Sequence, residues 1–127
     1  MKLADMPHPI QSFIGRLLAR NVSVWLMGSR VNPTDKAPSD WDFMIFGSEE
    51  ILSELSCQPP VPDVDALVVV DGDKFVSPWP RASDGALKCG KLSAWKWQQI
   101  SPEVATYSGT KWPHDWGSTK KATRIHD

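Results

Sequence analysis

The spacing of apolar positions changes several times along the first part of the chain, and each change marks an element. From Ile10 to Arg20, the residues Ile10, Phe13, Ile14, Leu17 and Leu18 recur at three- and four-residue intervals, with Arg16 and Arg20 on the other side. That spacing predicts an amphipathic helix of about three turns, with Asn21 as its stop. Val22–Met27 is short and β-rich, and reads as a strand running into Gly28-Ser29. Arg30–Ser39 is polar and carries Pro33 and Pro38, which leaves room for at most a short helical turn. Trp41–Phe46 reads as a second strand closed by Gly47. Ser48 then caps a helix with Glu49 and Glu50 in its first turn, where their charge suits the helix dipole; it ends near Ser56. Cys57–Pro62 holds three prolines and is a loop. Val64–Val70 is β-branched and nearly continuous, the pattern of a strand inside a sheet. Asp71-Gly72 makes a turn, and Lys74–Val76 folds back as a short fourth strand.

Beyond Pro78 the pattern weakens. Leu92–Ile100 alternates in part and reads as a strand in preference to a short helix. Ser101 and Pro102 have the chemistry of a helix start reaching towards Tyr107, and the last dozen residues, polar and basic, read as frayed. No internal repeat is present. The predicted order is α-β-turn-β-α-β, followed by an irregular Trp-rich C-terminal segment over residues 77–127. This is a mixed α/β (α+β) domain.

Composition narrows the class. With 127 residues, 41% hydrophobic and 23% charged, the chain has the size and balance of one globular domain. No apolar run approaches the roughly 18 residues of a membrane span, and Met1–Ile10 lacks the apolar core of a secretory signal. Cys57 and Cys89 are too few for a disulfide framework and read as reduced thiols of a cytosolic protein. His8, His114 and His126 are scattered and no C-x-x-C pair exists, so a zinc site is not expected. The net charge of −1 conceals an asymmetry: residues 1–78 hold six Lys/Arg and eleven Asp/Glu, and residues 79–127 hold eight and four. Five of the seven tryptophans also fall in that basic second part.

The chemistry concentrates in Gly28–Asp42. Asp40 and Asp42 lie two apart on a predicted strand, so both carboxylates project from one face with Cα atoms about 7 Å apart, and Trp41 points to the other face, into a core. Adjacent carboxylates repel unless a cation lies between them. Mg²⁺ suits such a pair, because it binds through one or two carboxylates plus substrate phosphates. Gly28-Ser29 closes the preceding strand, where glycine permits close approach of a ligand and turn N–H groups can cradle a phosphate. A third carboxylate would complete a two-metal arrangement. Asp65, leading into the apolar run, is preferred, and Asp63 is the alternative.

Gly-Ser, a ten-residue spacer and Asp-x-Asp together resemble the signature of the minimal nucleotidyltransferases of the DNA polymerase beta superfamily. GSR…SDWDFMIFG is similar to their GSRARG…SDIDL pattern, and VDALVV is similar to their third-strand Asp motif. The resemblance covers roughly Ile10–Val76. The spacer departs from the pattern in its two prolines and lack of glycine, and the tail has no counterpart. The resemblance implies a nucleotidyltransferase fold, a mixed sheet flanked by helices, with two Mg²⁺ ions and a nucleoside triphosphate, ATP by preference, at one end. Gly28, Ser29 and Arg30 would bind the nucleotide. Asp40, Asp42 and Asp65 would hold the metals, and Asp65 would act as base for the incoming hydroxyl. It further implies transfer of a nucleoside monophosphate to a protein or small-molecule hydroxyl. Small members of the family occur in toxin–antitoxin pairs, where one modifies a HEPN-class toxin on tyrosine. With no helical acceptor domain, the acceptor would meet the tail, a second subunit or such a partner protein.

Other readings compete at individual residues. Asp71 and Asp73 read as turn formers, and Arg30 as either a phosphate contact or a surface ion pair. The pairs Trp95/Trp97 and Trp112/Trp116 serve packing first and a partner or ligand second. The basic residues Lys111, Lys120, Lys121 and Arg124 are a solvated face, a triphosphate contact or a site for an acidic partner. They lack the density of a specific nucleic-acid binder. The alternative function is a non-catalytic protein of the same fold that binds through its Trp-rich surface.

Overall fold

A computed structural model of the chain describes residues 1–37, 40–80, 84–108 and 119–127. Helix α1 spans His8–Leu18 and buries Ile10, Phe13, Ile14 and Leu17, the stripe its spacing demands. Asn21 ends it in a left-handed conformation, φ 60°. Strand β1 (Ser23–Met27) leads into a single 3₁₀ turn over Gly28–Arg30, and β2 (Trp41–Phe46) returns antiparallel to β1. Helix α2 (Glu49–Ser56) begins at Ser48, whose Oγ accepts the Ile51 N–H at 3.2 Å. It forms the crossover to β3 (Val64–Val69), which lies parallel to β2, as a parallel pair requires. The Asp71 turn then reverses the chain into β4 (Lys74–Val76).

The described residues of the C-terminal part include four strands, against the expected irregular segment. They add β5 (Cys89–Lys91), β6 (Gln98–Gln99), β7 (Val104–Tyr107) and β8 (Lys120–Arg124) to one eight-stranded mixed sheet of order β5-β4-β3-β2-β1-β8-β7-β6. The expected helix at Pro102–Tyr107 is therefore a strand. The Ser101 Oγ does accept the Glu103 and Val104 N–H groups, at 3.2 and 3.1 Å, but the following Val-Ala-Thr-Tyr alternates with Ala105 and Tyr107 buried. Leu92–Trp97 is a compact turn, with Lys96 at φ 53°, and not the expected strand; only Gln98 and Gln99 pair. The tail is not frayed either. β8 pairs with both β1 and β7, Ile125 is buried, and the Leu3 N–H donates to the His126 carbonyl at 2.7 Å.

The two sheet faces are covered differently. One packs Val24, Leu26, Phe43, Ile45, Ala66 and Val68 against both helices, with Trp41 and Trp79 in the same core. The other gathers Trp25, Met27, Met44, Leu67, Val69 and Phe75 with Ala105, Tyr107 and Ala122 from the C-terminal strands and Leu92 from the turn before β6. Trp97 stacks on Tyr107 and meets Trp25 edge-on, with ring centroids 6.0 and 5.7 Å apart. Each such side chain, fully buried, contributes roughly 1.5–3 kcal/mol. β7 and β8 complete the second core with Ala105, Tyr107 and Ala122. No helix among the described residues is long and apolar enough to cross a membrane.

Candidate active site

Register sets the acidic wall of the site. Met27 on β1 pairs with Asp42 on β2, which pairs with Asp65 on β3, so these three residues form a row across adjacent strands. Asp42 shares a face with Met44, and Asp65 with Leu67, so both carboxylates point away from the helices. There they line a cleft of about 340 Å³ together with Gly28, Ser29 and Asp40. Asp40, exposed, stands one residue ahead of β2 instead of on it. Asp63 takes a left-handed conformation before β3, φ 63°, and its carbonyl accepts the Trp41 N–H at 2.7 Å. It does not line the cleft, whereas Asp65 does.

Gly28 is held in place by two neighbours. Its φ of 74° suits glycine. A Cβ there would stand 2.9 Å from the Asp42 carboxyl carbon and closer still to one of its oxygens. Its N–H donates to the Tyr107 hydroxyl at 3.0 Å. Asn32 clamps the same turn to β8: its Nδ2 donates to the carbonyls of Gly28 and Lys121 at 3.0 and 2.9 Å, and its Oδ1 accepts the Lys121 N–H at 2.8 Å. The strand-end turn is thus keyed to the C-terminal strands.

Arg30 does not line the cleft. Its guanidinium lies 4.1 Å from the centroid of the Trp41 ring, and its Nε donates to the Asp40 carbonyl at 3.1 Å. Both contacts steady the approach to β2. Trp41 itself is in the helix-side core, as its place opposite Asp40 and Asp42 implies. Asp71 behaves as a turn former: its carboxylate accepts the Lys74 and Asp73 N–H groups at 2.7 and 3.0 Å. Those bonds, the one from Lys74 first, hold its pKa below the ordinary value. Asp73 likewise accepts from Ser93, tying the hairpin to the turn before β6.

Sequence reasoning missed several lining residues: Asn32, Thr34, Lys88 and Tyr107 also line the cleft, with Trp95 and Lys120. Trp95 packs on Phe75 at 4.6 Å and on Tyr107 at 6.1 Å, and it is one of the expected packing pair that also reaches the cleft. Of the basic tail residues, Lys120 alone among the described ones lines the cleft, and Lys111 lies outside the described residues. Trp112, Trp116 and His114 also lie outside them. Cys57 and Cys89 are both exposed and unbridged.

The donor set of Asp40, Asp42 and Asp65 is anionic and all oxygen, the chemistry Mg²⁺ selects. Among the described residues, no three Asp, Glu, His or Cys side chains stand close enough together to hold an ion by themselves. An ion held there would need its remaining ligands from water or phosphate oxygen, the usual habit of Mg²⁺. No protein-family model, curated protein or solved structure matches this chain.

Proposed function

We infer that the chain is a Mg²⁺-dependent nucleotidyltransferase of the nucleotidyltransferase fold. It would move a nucleoside monophosphate from a triphosphate, ATP by preference, to a protein or small-molecule hydroxyl. The observation that carries this reading is the pairing of Asp42 with Asp65 on adjacent parallel strands, in the same cleft as the Gly28-Ser29 turn. Asp42 is half-buried and Asp65 exposed, and like charges side by side repel, so their pairing in one cleft supports a site that takes a cation. Asp40, Asp42 and Asp65 would hold Mg²⁺, which when bound supplies positive charge to phosphate oxygens.

The chain's own residues then have distinct tasks. Ser29 offers its hydroxyl to the phosphates from the end of β1. The Asp65 carboxylate accepts the proton of the acceptor hydroxyl as its oxygen forms a bond to the α-phosphorus. The bond from that phosphorus to the bridging oxygen breaks, and pyrophosphate leaves with the electron pair. A HEPN-class toxin tyrosine is one acceptor that this chemistry would serve.

The test is transfer of label from α-labelled triphosphate, with Mg²⁺ and candidate acceptors. Wild-type protein is expected to transfer label, and Asp42→Asn to be slower by orders of magnitude, because several kcal/mol of transition-state stabilisation would be lost. Equal behaviour of the two proteins would overturn the reading. Of the described tryptophans on which the non-catalytic alternative draws, Trp79 and Trp97 pack against the two cores, while Trp95 packs and also lines the cleft.

A further inference from the structure

The cleft is lined by groups of opposite charge. Asp42 and Asp65 line it from β2 and β3, with Asp40 just ahead of β2, while Lys88 and Lys120 reach it from the segment before β5 and from β8, which stand on either side of β3, β2 and β1 in the sheet order. Lys120 is fixed there by register: it pairs with Tyr107 across β7 and β8 and shares a sheet face with Ala122. Lys121, next in sequence, falls on the other face by the two-residue period of a strand, so basic composition alone does not decide which lysine reaches the site. Lys88 arrives from the segment before β5, its ammonium 5.7 Å from the centroid of the Trp95 ring.

One expected anion donor is already engaged. The Gly28 N–H, the natural phosphate contact of a strand-end turn, donates to the Tyr107 hydroxyl. The turn therefore presents Ser29 to an anion and keeps the Gly28 amide for its own anchoring. An anion entering the cleft is repelled by the carboxylates and has to be held by the lysines.

We propose that Lys88 and Lys120 form a polyphosphate-binding pair, so that the phosphate grip of this site lies on two lysines of the C-terminal half and not on the Gly28 amide. This deepens the nucleotidyltransferase reading and rests on the cleft being a triphosphate site. The ligand class is a linear polyphosphate, whose several charged groups can meet two ammonium groups brought from distant segments of the chain. Binding of this kind is charge-driven and weakens as salt shortens the Debye length from about 10 Å at 0.1 M.

The experiment is calorimetric titration of the full chain with inorganic tripolyphosphate, in chelator and again with Mg²⁺. Wild type is expected to bind tripolyphosphate without metal, more tightly than orthophosphate. Lys88→Gln with Lys120→Gln should weaken it about tenfold or more, on the scale of two partly exposed charge-assisted contacts. Lys91→Gln, on β5 outside the cleft, should bind as wild type. Lys88→Arg with Lys120→Arg keeps the charge and should retain most of the affinity, so loss through misfolding is separated from loss of the pair. Unchanged affinity in the folded double glutamine variant would overturn the proposal, as would absence of tripolyphosphate binding by wild type under both conditions. Lysine-dependent binding without label transfer would uphold the pair and count against the catalytic reading alone.

Discussion

The hydroxyl of Tyr107 accepts the backbone N–H of Gly28 at 3.0 Å, across 79 positions of sequence. One residue closes the first strand of the sheet and the other closes the seventh. Through this contact the turn that would face a triphosphate is held by a part of the chain without any recognisable motif. The same tyrosine stacks between Trp95 and Trp97, so the acceptor oxygen is placed by a packed aromatic cluster.

Tyr107→Phe should keep the packing and remove the acceptor. The half-buried Gly28 N–H would then lack its protein partner, at a cost of about 1–3 kcal/mol. Chemical denaturation should show that loss, and hydrogen exchange at the Gly28 amide should quicken more than at Met44 in the sheet interior. An unchanged Gly28 exchange rate would mean the contact does not hold the turn.

Gly28→Ala should be worse in a different way. A left-handed conformation at a residue with a Cβ costs of order 1–3 kcal/mol, and the added methyl would push on the Asp42 carboxylate. The expected signature is a lower urea midpoint together with weakened Mg²⁺ dependence of stability. Wild-type Mg²⁺ dependence in a destabilised Gly28→Ala protein would show that Asp42 tolerates the shift.

Mg²⁺ should raise the thermal midpoint of the wild-type protein, by the equivalent of about 2.7 kcal/mol when free ion is a hundredfold above its dissociation constant. Asp65→Asn should lose most of that gain. Without metal the same variant should be slightly more stable than wild type, by roughly a few tenths of a kcal/mol, because Asp65 no longer faces Asp42 across the strands. Scanning calorimetry with and without Mg²⁺ reads both effects. Equal metal-induced shifts in the two proteins would remove Asp65 from the cation site.

Acid should loosen the hairpin between β3 and β4. The Lys74 and Asp73 amides hold the folded pKa of Asp71 below its ordinary value. A depressed folded pKa adds stability above the unfolded value, about 3.9 for aspartate, and that contribution fades as pH falls through the folded value. Asp71→Asn should therefore be less stable than wild type at neutral pH and show a flatter acid limb below about pH 4, the two proteins converging in acid. An acid limb identical to wild type would show that the turn does not use the charge.

Some of this architecture was legible in the residues themselves. The α1 stripe, the Ser48 cap and the Val64–Val69 run each state their structure locally, because period, cap chemistry and β-branching act within a few residues. The alternation that puts Asp42 on a face opposite Trp41 is equally local. β7 and β8 were not legible. Lys-Lys-Ala-Thr-Arg looks like a solvated tail, since only Ala122 in it is fully buried. Ser101 and Pro102 carry the same side-chain chemistry whether a helix or a turn follows. In the Leu92–Trp97 turn, Lys96 adopts a left-handed conformation that a sequence pattern does not announce.

By itself, then, the sequence determined a mixed α/β domain with two carboxylate-bearing strand ends and a Gly-Ser turn, because those features follow from periods of two and 3.6 residues and from short-range steric rules. Only the tertiary structure decided that Asp65 and not Asp63 meets Asp42, that Arg30 stacks on Trp41 outside the cleft, and that the basic half closes the site through Lys88, Tyr107 and Lys120. Those outcomes depend on strand register and on which distant strands pair. Register is fixed by burying two apolar faces at once, a condition that no short window of sequence contains.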